Sequence, residues 1–178
     1  MSAPQSFLNT KMISTIRRNH ALEHATLNIL AARNPHRSLA GYSDSGGFWL
    51  AGAVPTEEVK AAVNQAIVRL QAGEVGLAVH AGCGTNFVAA GLAGGTAAWL
   101  ATLGGGATWK KKLERWPLVV ALVTLALIFT QPLGPWLQAR VTTRADIGDL
   151  RVIEIMRRDR SNMTIHRIRT QINRKEQA

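Results

Sequence analysis

Cysteine, aromatic residues and acidic residues are all scarce in this chain, and each shortage narrows what it can be. Cys83 is the only cysteine, so no intramolecular disulfide can form and an oxidising compartment is not required. Aromatics are 6% of the residues. No aromatic ladder, zinc-finger spacing or recognition-helix pattern accompanies the basic charge, which argues against a nucleic-acid partner. Lys11, Arg17 and Arg18 near the start are followed by no apolar run. That is not the pattern of a secretory signal, and the first eighty residues are expected to stay in the cytoplasm. With 178 residues there is room for one domain and some additional elements, but not for two ample cores.

What is plentiful is basic charge, and it is local. The formal net charge is +10, yet ten of the Lys and Arg residues fall between Arg140 and Lys175, offset by Asp146, Asp149, Glu154, Asp159 and Glu176. Such a segment suits an anionic membrane surface or an acidic partner. A solvated strand face accounts for the same pattern.

Two long stretches carry no charge. Phe87 to Trp109 runs 23 positions without a charged residue, enough to cross a hydrocarbon core of about 30 Å. Gly91 and Gly95 within it have the spacing that lets a second helix approach, so this face is expected to meet a membrane-protein partner. Trp116 to Leu137 is the second stretch, interrupted at Gln131-Pro132. Trp109, Trp116 and Trp136 sit at the ends, where indole rings favour the headgroup layer. Joined by the short basic link Lys110–Arg115, the two stretches read as a transmembrane hairpin. The competing reading is a buried Gly/Ala-rich hairpin of a soluble protein. An inner- or plasma-membrane protein is expected, with both termini cytoplasmic because the basic total is larger there than in the link.

Elsewhere the patterns are local and mixed. A helix is predicted over Thr15–Ala32, stopped by Asn34-Pro35. Short apolar runs around Ser43–Gly47 read as a β-hairpin. A second helix opens at Val54–Glu58 with Thr56 as N-cap and ends at Gly73. Val75–His80 is expected as a third strand. Leu150–Met156 and Met163–Ile168 are expected as a hairpin turning around Asp159–Asn162 and joining the N-terminal strands in one sheet. The fold class is thus α+β: a small sheet with two N-terminal helices, interrupted by the transmembrane hairpin. The expected parts are an N-terminal α+β domain (1–83), the hairpin (84–138), and a basic C-terminal β-hairpin (139–178) packing on the N-terminal domain.

The run His20-Ala-Leu-Glu23-His24 carries the sharpest chemistry. Residues four apart share a helix face, so both imidazoles lie on the stripe Ile13, Ile16, His20, His24, Leu27, Ala31. Imidazoles so placed can share one metal ion, and zinc wants three or four ligands. His80 and Cys83, in the glycine-flanked run His80–Asn86, are the further candidates. Water in a remaining position would give Glu23 a proton to take, as general base of a metal-assisted hydrolysis. Two blander readings stay open: a hydrogen-bonded core pair, and a metal or cofactor site without hydrolysis, haem iron included. Taken singly, Cys83 reads as a small buried residue, His36 as an exposed loop residue, His166 as a strand surface residue, and Asp44 as turn chemistry.

Two resemblances sharpen this. His20-x-x-Glu23-His24 resembles the inverted zinc-peptidase motif, which implies zinc on both histidines, Glu23 as base, and a downstream glutamate ligand. Glu57, Glu58 and Glu74 are the residues available for that role. Asn19–Thr26, the Gly47-Phe-Trp49 hairpin and Cys83-Gly-Thr-Asn86 together resemble an uncharacterised family of bacterial membrane proteins, of cyanobacterial and Chloroflexi type. That resemblance implies a membrane protein and no established reaction. The expected function is a membrane-anchored metal-binding protein, in its sharper form a zinc-dependent, peptidase-like hydrolase. The alternatives are a non-enzymatic membrane subunit or assembly factor, or a cofactor carrier.

Overall fold

A computed structural model of the chain describes residues 7–103, 108–160 and 163–172. Residues 104–107 of the first uncharged stretch, residues 161–162 of the expected Asp159–Asn162 turn, and the outermost parts of segments 1–83 and 139–178 lie outside the described residues. The chain forms two compact units, Met1–His80 with Gln138–Ala178, and Ala81–Leu137.

In the first unit, α1 spans Lys11–Arg33 and ends at Asn34, whose N–H donates to Leu30 O. Pro35 follows and disfavours further helix. Strands β1 (Ala40–Asp44) and β2 (Gly47–Ala51) form the hairpin, and α2 covers Thr56–Gln71. β3 (Leu150–Arg160) and β4 (Met163–Ile172) complete an antiparallel sheet of order β1-β2-β4-β3. Both C-terminal strands run longer than expected, and a register shift between Val152 and Glu154 leaves Ile153 exposed. Leu22, Leu30, Phe48, Leu50, Val63 and Ile168 are fully buried and join the helices to the sheet. At the β1–β2 turn the Gly46 N–H donates to Asp44 Oδ1 at 2.7 Å, the turn chemistry expected of this aspartate. Arg167 also holds Asp44 with two bonds and lies over the Trp49 ring. Gly47 has φ +136°, and a side chain there would run into the β4 backbone at Ile168.

Three local expectations need correcting. Val75–Ala78 is a 3-10 turn, not a strand: Gly76 O accepts from the Val79 N–H within the turn, and Leu77 O and Ala78 O are taken by α1 side chains instead of a neighbouring strand. Thr56 is the first residue of α2 rather than its N-cap, which is Pro55. Its hydroxyl pairs with His166 Nε2 at 3.1 Å. His166 is fully buried, since on β4 it alternates with Ile168 and Thr170 on the face turned toward the helices. His36 is exposed, as expected.

In the second unit, α3 (Gly84–Thr102) packs on α5 (Trp116–Thr130), joined through the short helix α4 (Trp109–Glu114). Gly94 makes the close approach: a Cβ there would touch Val123 and Leu127 at 3.6 Å, whereas Gly91 and Gly95 face open space. Arg115 donates to Leu103 O and Ala101 O, satisfying carbonyls at the α3 C-terminus. Pro132 breaks the second apolar stretch, and α6 (Leu133–Leu137) follows, running on as a π-helical turn over Gln138–Thr142. No single described helix is long and apolar enough to cross a membrane. Trp116–Thr130 and Leu133–Thr142, bent by 45°, fit that requirement only as a pair.

Candidate metal centre

The site grows from one stripe of α1. His20, His24 and Asn28 follow each other at four-residue intervals and so stack along one helix face. The His20 and His24 ring centres are 4.2 Å apart, and the His80 ring is 5.7 Å from that of His24. His24 is buried and the other two rings are half-buried.

Hydrogen bonds make Nδ1 the donor in all three rings. His20 Nδ1 lies 3.0 Å from Thr142 O, and His24 Nδ1 lies 2.8 Å from Ala78 O. A carbonyl oxygen only accepts, so each Nδ1 carries the proton. His80 Nδ1 is 2.7 Å from Asn28 Oδ1. The Asn28 Nδ2 group donates to Leu77 O at 3.1 Å and Val79 O at 2.8 Å, which leaves its oxygen to accept from His80. With Nδ1 protonated, the neutral form of each ring has its lone pair on Nε2. Metal-bound histidines commonly show this pattern: the second nitrogen donates to a carbonyl or carboxylate and orients the ring.

Cys83 is buried and immediately precedes α3. His20, His24 and Cys83 form a group that could hold a metal ion, one ligand atom from each lying within 4.8 Å of the others. His80 stands beside this group and is not one of its three members.

The carboxylates sit elsewhere. Glu23 is 3% exposed and accepts from the Ser43 hydroxyl on β1. Its side chain presses on Gly41, where a Cβ would come within 2.6 Å of Glu23 Cδ. Glu57 pairs with Lys60, Glu58 with Arg37, and Glu74 with Arg69; none of the three belongs to the His20–His24–Cys83 group. Residues that the sequence alone did not reveal are Asn28, Thr142 and Gln138, whose Oε1 accepts from the His80 backbone N–H at 2.8 Å. Asn28 left a trace: it continues the polar stripe one turn beyond His24. Nothing local marks Thr142 or Gln138.

Among known proteins, an uncharacterized protein of Picosynechococcus sp. (strain ATCC 27264 / PCC 7002 / PR-6) is 43% identical over 99 residues, covering 48% of either chain. The chain therefore spans about half the length of that cyanobacterial relative. No solved structure matches. A model of a domain of unknown function matches residues 15–155, a range that includes His20, His24, His80 and Cys83, and the chain belongs to this family, DUF6391.

Proposed function

We propose that this protein is a membrane-associated metal-binding protein, with zinc the ion best suited to its donors. The observation that carries this reading is the grouping of His20, His24 and Cys83, whose ligand atoms lie within 4.8 Å of one another, with Nδ1 of both α1 imidazoles donating to backbone carbonyls as ring-orienting bonds do in metal sites. Imidazole and thiolate together favour zinc over the hard cations, which take oxygen ligands. Glu23 is the residue a hydrolytic mechanism would need, and its carboxylate is engaged by Ser43 within the core. This favours metal binding without hydrolysis over a peptidase-like reaction. Elemental analysis of the purified chain tests the reading. About one equivalent of zinc is expected in wild type and little in His24→Ala; equal, low zinc in both proteins overturns it.

Membrane association rests on the second unit. Phe87, Leu92, Trp99 and Phe129 are each more than 60% exposed, on helices almost free of charge, and lipid would bury them. A second reading, assembly with another membrane subunit, draws support from the open space around Gly91 and Gly95, where a partner helix could approach closely.

A further inference from the structure

We propose that the link helix α4, with Trp116 just beyond it, docks on anionic phospholipid: its apolar stripe enters the headgroup layer and its lysines meet the phosphates. This rests on the membrane reading of the second unit above and names the lipid class that unit prefers.

The stripe follows from helix geometry. Trp109 and Leu113 are four residues apart and share one face of α4. Arg115, with α-region dihedrals (φ −88°, ψ −5°), carries that face on to Trp116. All three side chains are open: Trp109 is 79% exposed, Leu113 60% and Trp116 62%. No residue of α4 is buried, and the helix has only 6 residues, too few to persist in water by itself. A surface that takes up the stripe would supply the missing burial.

Charge selects that surface. By the same periodicity Lys110, Lys111 and Lys112 fall on the flanks and back of the helix, all exposed, with Glu114 as the acidic residue among them. Arg115 is turned inward, its guanidinium donating to Leu103 O and Ala101 O, so the lysines are the cations that the link presents. Two indoles and a leucine on one side, with lysines around the rest, is the composition of a segment lying in the plane of a membrane interface. Indole rings favour the headgroup layer, and each basic residue there is attracted by anionic lipid. Anionic headgroups over hydrocarbon answer both halves of the segment at once.

Tryptophan quenching in the full-length, detergent-solubilised chain reads the site, with brominated phosphatidylglycerol and brominated phosphatidylcholine as the probes. In wild type, phosphatidylglycerol should quench at lower concentration than phosphatidylcholine. The double change Trp109→Phe and Trp116→Phe should remove the part of the quenching that shows this preference. Changing Lys110, Lys111 and Lys112 to Gln should cut the preference by about fivefold per lysine. Quenching by neither lipid overturns the membrane reading itself. Equal quenching by the two lipids overturns the anionic preference and leaves the membrane reading standing. A preference that survives the lysine or the tryptophan changes overturns the role of α4. Loss of a native complex on changing the lysines, with no lipid preference in the purified chain, overturns lipid as the occupant in favour of an acidic protein. Wild type alone also decides, whatever the variants do: the preference must fade as salt rises, and one that salt leaves unchanged refutes attraction between lysine and phosphate.

Discussion

His166 enters the core uncharged, and the physical cost of charging it makes the protein sensitive to acid. Burial and then the nearby Arg157 hold its pKa below the usual 6.5, against a smaller opposing pull from Asp159. The buried Nδ1 has no hydrogen-bond partner, and the charged ring, protonated on both nitrogens, would leave the Nδ1 proton without an acceptor. Because the folded pKa is lowered, the unfolded chain binds the proton more readily. Stability is therefore complete above about pH 6.5 and falls as pH drops from there toward the folded value, by at most about 1.4 kcal/mol per pH unit. Denaturant unfolding of wild type and His166→Phe at pH 7.5 and 5.5 should show a smaller acid loss in the variant; equal losses would remove His166 as the cause. Asp44 acts lower on the scale. Burial alone would raise its pKa, but the Arg167 hydrogen bonds, the Gly46 N–H and the Arg167 charge together lower it below 3.8. Its contribution is present above that value and is lost only as pH falls further. Gly41 is a matter of space. An added methyl at Gly41 would overlap the Glu23 carboxylate and come within 2.6 Å of Cδ, so Gly41→Ala should destabilise the chain by about 1–3 kcal/mol. Chemical denaturation reads this directly.

At the scale of elements, the two uncharged stretches separate into a glycine that packs and glycines that do not. Gly94 is buried against α5, while Gly91 and Gly95 are exposed. Gly94→Leu should force α3 and α5 apart and lower the melting temperature. The double change Gly91→Leu and Gly95→Leu should leave the isolated chain as stable as wild type and disrupt only a native complex, seen by gentle extraction. A complex that survives the double change excludes that face as an interface. The spacing Gly-x-x-x-Gly was visible in the sequence, but which of three nearby glycines meets α5 depends on helix rotation, and periodicity does not encode that. Val75–Ala78 shows the same boundary. Its weak alternation resembled a strand, yet Leu77 O and Ala78 O are claimed by Asn28 and His24, 49 and 54 residues away. Tertiary hydrogen bonds outweighed a marginal local preference.

For the whole molecule, the two units suggest a division of labour. One carries the sheet, α1 and α2 with the three histidines; the other presents apolar helices with tryptophans at their ends. If lipid buries those helices, the full chain should float with liposomes of phosphatidylcholine and phosphatidylglycerol. Retaining the flotation in high salt would assign it to apolar insertion, because screening abolishes attraction by the basic C-terminal segment. Recovery of the chain at the bottom of the gradient would exclude lipid as what covers α3 and α5.

By itself the sequence determined what depends on near neighbours along the chain. The α1 helix, the one-turn spacing of His20 and His24, both hairpins and the uncharged stretches all follow from periodicity, turn residues and proline. Tertiary structure alone decided what depends on residues far apart. It turned Glu23 toward Ser43, buried His166 under Thr56, and set Asn28 against His80, because the hydrogen bonds that make these choices join segments whose sequences carry no record of each other.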